Sequence, residues 1–267
     1  MLMLGRWQLA RAEEKIQLMA AADAAANAQP VDVATLAHTV RFPDRNQSPG
    51  CELSTRTAGN YTRVAVAGVF DPTRQFLWDN RIHKSVAGFE VLTPLLLTLA
   101  SCRDADAVGQ TVALLVNRGW VAAGRDRSVL PDISFRAETT DTDADQRATT
   151  PVQLQGMLTL PSKGFAGDDA LIDRARATEA WPAVLQYPDY SAVAVELDLP
   201  VLAGVLQATD TDSADTFVAA NLYTNNWSPV ANGPEKHYGY AFQWFAMFVA
   251  VCIIFIVTNL KRTDKTE

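Results

Sequence analysis

The stretch YGYAFQWFAMFVAVCIIFIVTNL, Tyr238 to Leu260, holds no Asp, Glu, Lys or Arg. As a helix rising 1.5 Å per residue it is about 34 Å long, against a bilayer hydrocarbon core of about 30 Å. Between Ala241 and Val257 stand ten Phe, Val or Ile residues. Together they favour insertion by roughly −3 to −6 kcal/mol. Gln243 is the only strongly polar side chain before Thr258, and it lies near one end. The segment therefore reads as a transmembrane helix. The plainer alternative is a core helix of a soluble protein, but such helices rarely stay free of charge for over twenty residues.

The flanks agree. Tyr238, Tyr240 and Trp244 gather at the N-terminal end, where amphipathic rings suit the membrane interface. Lys261, Arg262 and Lys265 follow the C-terminal end, while Lys236 is the only nearby basic residue upstream. The positive-inside rule puts the tail in the cytoplasm or mitochondrial matrix and the preceding domain on the other side.

That preceding part has the composition of a folded domain. The chain of 267 residues is 48% hydrophobic and 20% charged, enough for one domain of about 200 residues beside a membrane segment. A net charge of −7 argues against nucleic acid as a main partner. Gly5 to Ala28 reads as a helix stopped by Pro30. Thr62 to Phe70 and Val152 to Leu160 alternate as half-buried strands do. Gln75 to Asp79, Phe89 to Thr93, Thr111 to Asn117 and Ser191 to Leu197 are further predicted strands. Turns are predicted at Asp71-Pro72 and at Asn117-Arg118-Gly119. Asp169 to Ala177 is a predicted short helix, and 137–150 a polar loop. The three cysteines form no C-x-x-C. Cys252 is a packing residue of the apolar run, and whether Cys51 and Cys102 pair stays open.

Catalytic motifs are lacking. There is no G-x-S-x-G, Walker loop, G-x-G-x-x-G or H-x-x-x-H, so an enzyme is not expected. Asp141, Asp143 and Asp145 resemble the start of a calcium loop, but Gln146 and Val152 occupy the positions of the turn glycine and the bidentate glutamate, leaving a solvated acidic loop. His237 stands just before the span. On a helix its face continues through Tyr240, Ala241, Trp244 and Phe248. An imidazole above an aromatic stripe at a membrane lip suits haem iron, and it equally suits an ordinary interfacial His. At the other end Trp7, Arg11 and Lys15 recur every four residues, a stripe that faces either propionates, lipid phosphates or simply solvent.

These pieces resemble the surfeit locus 1 protein family of cytochrome c oxidase assembly factors. LGRWQLARAEEK (Leu4 to Lys15) looks like the family's L-G-x-W-Q-x-x-R-x-x-x-K. GVFD (Gly68 to Asp71), Asn80-Arg81, GFEVLTPL (Gly88 to Leu95), LLVNRGWV (Leu114 to Val121) and Trp181-Pro182 follow in the family's order. HYGYAFQWF (His237 to Phe245) resembles H-x-x-Y-A-x-x-W-F at the head of the second span. One departure is the run Asn232 to Lys236 in place of the family's polar pair, which lengthens the approach to that span.

The resemblance implies two spans around an extracytoplasmic domain, with both termini inside. The first span is expected before Leu4, so that residues 1–29 continue it, 30–236 form a β-rich extracytoplasmic domain, 237–260 the second span and 261–267 the cytoplasmic tail. The expected class is thus a membrane-anchored α+β protein of the bacterial plasma membrane or mitochondrial inner membrane. The implied function is assembly of haem a-containing cytochrome c oxidase, with its catalytic subunit and other assembly factors as partners. His237 is then the candidate iron ligand for transient haem a, with Tyr240, Trp244, Trp7 and Arg11 around it. The alternative is a haem-independent scaffold for an oxidase subunit.

Overall fold

A computed structural model describes residues 1–39, 51–53, 61–99, 109–126, 129–135, 150–160, 181–208, 220–230 and 233–260. The predicted helix Asp169 to Ala177, the acidic run at 141–145, Cys102 and the tail 261–267 lie outside these residues. The chain forms two compact units, Met1–Ala24 with Ser228–Glu267, and Ala25–Trp227.

The larger unit is built on strands: β1 (Val31–Asp32), β2 (Ala37–Thr39), β3 (Cys51–Leu53), β4 (Tyr61–Phe70), β5 (Phe76–His83), β6 (Val86–Leu99), β7 (Gln110–Ala122), β8 (Val152–Thr159), β9 (Ala183–Leu185) and β10 (Val201–Ala208). The main sheet runs β1-β4-β8-β10-β7-β6-β5-β9, and β4 also pairs with β6 through Val69–Leu96 and Phe70–Leu95. That extra pairing joins β4, β8, β10, β7 and β6 into a closed ring. Closure removes the exposed edges of these strands.

Side-chain alternation fills the ring. Val64 and Val66 of β4, Leu95, Leu97 and Leu99 of β6, Val112, Leu114 and Val116 of β7, Val152 and Leu154 of β8, and Leu202 and Leu206 of β10 form one buried cluster. Every second residue turns inward, as the strand period of two requires. Ala113 and Leu115 of β7 turn outward, and join Val193, Ala194 and Leu197 in a second cluster.

Ser191 to Leu197, expected as a strand, is helical. It belongs to a helix at Tyr190–Leu197, preceded in chain order by α1 (Leu2–Ala26) and the short α2 (Val33–Leu36), and here named α3. Asp189 caps it, accepting from Ser191 N at 2.8 Å and Ala192 N at 3.1 Å, and Asp198 ends it at φ 50°. The apolar alternation of SAVAVEL also fits one helical face at i, i+1, i+4, and the cap decides between the two. The predicted turn at Asn117-Arg118-Gly119 is corrected as well. All three residues lie inside β7, whose pairing with β6 shifts register between Glu90 and Leu92. The turn at Asp71-Pro72 is present: Asp71 Oδ1 accepts from Thr73 N and Arg74 N, bending the chain into β5.

The smaller unit takes in α1 as far as Ala24, two residues short of its end at Ala26, and the C-terminal helix α4 (Pro234–Asn259). Gly233 caps α4 in extended conformation and Pro234 opens it. Among the described residues α4 is the one helix long and apolar enough to cross a membrane. Most of its apolar surface is uncovered, with Phe242 73%, Ile254 62% and Val257 66% exposed. A core helix of a soluble domain would have most of this surface covered.

Candidate functional site

Because Pro234 starts α4, His237 falls at the close of its first turn, and its ring is half-buried. The ring meets α1. His237 Nδ1 lies 2.7 Å from Oε1 of Gln8, a residue 229 positions away. Three residues before Gln8, Gly5 is buried against Phe245 of α4: a Cβ at Gly5 would come within 2.5 Å of the Phe245 ring. Absence of a side chain is what lets α1 reach this ring. From Gly5–Phe245 to Gln8–His237 the numbering rises along α1 and falls along α4, so the two helices run antiparallel. Gly5, Gln8 and Ala12 share one helical face by their spacing, and Ala12 is fully buried.

The other sequence-predicted residues are placed around this contact in different ways. Tyr240 is 51% exposed, and Trp244 is half-buried one turn further along α4. Trp7 is 53% exposed. Arg11 pairs with Glu14 at 2.5 Å on its own helix. No hydrogen bond or ring contact among the described residues joins Trp7 or Arg11 to His237, Tyr240 or Trp244. Gln8 and Gly5 were not singled out from the sequence. The small residues Gly5 and Ala12 flanking Gln8 at helical spacing are the mark that a helix packs there.

The larger unit holds a different set of polar groups. On the outer side of the ring, Arg81 Nε donates to Glu90 Oε1 at 2.9 Å, and Asn117 Nδ2 lies 2.9 Å from both Glu90 Oε2 and Gln207 Oε1. Gln207 Nε2 then donates to Thr159 Oγ1 at 3.0 Å. This chain crosses β5, β6, β7, β10 and β8. Arg118, only 1% exposed, points the other way. It donates to Thr93 Oγ1, Gln75 Oε1 and the carbonyls of Ile133 and Asn221, and lies 4.1 Å from the Phe135 ring centroid. Four neutral acceptors and the faces of Phe135 and Tyr223 are among its partners, an arrangement that suits the delocalised guanidinium.

Nearby, burial would raise the Asp71 carboxyl, but the side-chain hydrogen bonds from Thr73 and Arg74, a backbone one from Thr73 and the Arg74 charge outweigh it and hold the group below the usual carboxylate range. A cavity of about 240 Å³ lies against Thr73, Gln75, Asp132, Ser134 and Trp181. Asp132 is its one titratable lining residue among the described residues. Nor do three His, Cys, Asp or Glu side chains converge as a metal site among the described residues.

The family model described as the SURF1 family matches residues 1–249, which takes in α1, the ring of strands and α4 as far as Val249. The chain belongs to the SURF1 family. Curated proteins offer no match to it. SURF1 family proteins are linked in general to cytochrome oxidase assembly. Within that family, the V-N-R-G-W element of this chain is the strand that carries both polar networks, and the H-x-x-Y-A-x-x-W-F element is the first part of α4.

Proposed function

We propose that this chain is a membrane-anchored assembly factor for haem a-containing cytochrome c oxidase, holding haem a through His237 and helping to place it in the catalytic subunit. The observation that carries the reading is the His237 ring. One nitrogen, Nδ1, is taken by Gln8. The other, Nε2, has no hydrogen bond among the described residues and is the nitrogen left for iron. Tyr240 and Trp244 follow on the same helical face, giving a macrocycle apolar and aromatic surface. The residues present thus fit a haem that His237 would hold, and Trp7 and Arg11 belong to the same helix as Gln8. Bound there, haem a would supply no bond-breaking chemistry. The role is holding and handover, not enzymatic turnover. A single ligand and an open face suit reversible binding.

The uncovered surface of α4 favours placement across the bacterial plasma membrane or mitochondrial inner membrane. Lys261, Arg262 and Lys265 favour a cytoplasmic or matrix tail. The scaffold alternative draws on the β5–β6 hairpin, whose tip exposes Ile82 (67%) and Val86 (49%) beside Lys84-Ser85 and would offer a subunit an apolar contact.

Expression in a host that makes haem a tests the reading. Purified wild type is expected to carry haem a, and His237→Ala to lose it. A wild type without haem a, or a His237→Ala chain with an unchanged haem spectrum, would sink the ligand assignment. Undiminished co-purification of an oxidase subunit with His237→Ala would favour the scaffold.

A further inference from the structure

We propose that Gln8 is a positioning residue that sets the tautomer of His237, keeping the proton on Nδ1 and the lone pair on Nε2. This rests on the reading above only for its purpose. The tautomer itself is a property of the chain alone. A neutral imidazole carries one proton, and the partner of one ring nitrogen decides where that proton sits. It is the amide oxygen of Gln8, an acceptor, that lies 2.7 Å from Nδ1, a placement that favours Nδ1 as the donor. Nε2 is then unprotonated, the form in which a histidine nitrogen binds a metal.

Gln8 is held in register by its surroundings. Gly5, one turn earlier, is pressed against Phe245, and Ala12, one turn later, is fully buried. These contacts fix the height of Gln8 along α1. Its amide has three side-chain torsions to settle, and a packed helix face limits the freedom it would lose on bonding. Without the Gln8 acceptor, an imidazole beside a membrane surface would share its proton between both nitrogens. Part of the population would then present N–H where the lone pair is needed.

Two readouts separate this inference from the haem reading. The first uses the haem-free chain in detergent or nanodiscs, labelled with ¹⁵N only at histidine. The sequence has three histidines, His38, His83 and His237, so the spectrum is assignable with His237→Ala. At a pH where the ring is neutral, wild type is expected to show a protonated Nδ1 and an unprotonated Nε2. Gln8→Leu should shift the balance to the Nε2–H tautomer. Gln8→Glu, which can only accept, should restore the wild-type form. Wild type already in the Nε2–H form, or a Gln8→Leu spectrum identical to wild type, would overturn the inference. If Gln8→Leu is not tolerated, Gln8→Asn shortens the reach by one methylene and should give the same shift, with the same outcome overturning it.

The second readout is the haem a content of chains purified from a haem a-producing host. Gln8→Leu is expected to lower it about tenfold, the lower end of what removing such a partner costs a metal site. Gln8→Glu should retain it, while His237→Ala abolishes it. Full haem content in Gln8→Leu would overturn the positioning role although haem binding stands. A wild type without haem would overturn the haem reading while the tautomer measurement still decides the fate of Gln8.

Discussion

Asn117 and Arg118 are neighbours on β7, yet their side chains enter two different hydrogen-bond networks. Asn117 bonds outward to Glu90 and Gln207, while Arg118 bonds to Thr93, Gln75 and two main-chain carbonyls at the mouth of the ring. Strand alternation sends adjacent residues to opposite faces, so one dipeptide ties together both sides of the sheet. The Asn117 chain also reaches the backbone, since its Oδ1 accepts from Gly119 N at 2.8 Å.

Removing the guanidinium should therefore be costly. Arg118→Met takes a buried donor away from Gln75, Thr93 and the carbonyls of Ile133 and Asn221, leaving Thr93 Oγ1 still bonded to Gln75 Oε1. Bare buried acceptors cost about 1–3 kcal/mol each, and partial relaxation brings the expected total to about 3–5 kcal/mol. Arg118→Lys should recover less than half of this, because one ammonium cannot reach acceptors that a planar fork meets from several sides. Thermal and urea unfolding of the detergent-solubilised chain, followed by the β signal in circular dichroism, measures both. A loss under about 1 kcal/mol for Arg118→Met would contradict the network.

Gly119 is at φ 110°, and a Cβ there would come within 2.7 Å of the Tyr223 carbonyl carbon and oxygen. Tyr223 N bonds Arg118 O at 2.6 Å, and Trp120 N bonds Thr224 O at 2.7 Å, so the clash falls on backbone that cannot step aside. Gly119→Ala should cost at least about 2 kcal/mol, combining backbone strain with the overlap. The same unfolding measurement applies, and a neutral substitution would show that the Leu222–Thr224 segment is not held against β7.

At the helix pair, Gly5→Val should push Phe245 and part α1 from α4. In a chain with Cys51, Cys102 and Cys252 replaced by Ser, cysteines at Gln8 and His237 are expected to be joined readily by a short bifunctional thiol reagent. Gly5→Val should lower the yield several-fold, and adding Phe245→Ala should restore it. Equal yields with and without Gly5→Val would mean that Gly5 does not set the approach of the helices.

Acid should act through Asp71. Its folded value lies below the ordinary carboxylate value, so its bonds add stability that is complete above that ordinary value of about 4 and is lost as pH falls through the folded value. Asp71→Asn should be less stable at pH 7 yet lose less between pH 5 and the acid limit. Parallel pH–stability curves for the two chains would remove Asp71 from the acid response.

Much of this was legible in the sequence. The alternation of TRVAVAGVF and VQLQGMLTL marked β4 and β8, because each presents one face to the ring interior. Others were not legible, for reasons that differ. SAVAVEL alternates as a strand does, and only the Asp189 cap and the outer face of β7 make it a helix. VLAGVLQA, β10, is buried on both sides and carries Gly204 at φ 148°, so it lacks the period that marks a half-exposed strand. Asn-Arg-Gly has the composition of a turn, but its polar side chains are satisfied by partners up to 103 positions away.

What the sequence determined by itself was local: a charge-free run long enough to cross a membrane, aromatic and basic flanks, alternating strands, and motifs in a family's order. These depend on neighbouring residues and on the solvent each face meets. Only the tertiary structure decided which residue answers His237. Gln8 stands 229 positions from it, and the two meet because Gly5 has no side chain to hold Phe245 away. Such a pairing depends on a close approach between distant segments, and no local period in the chain records it.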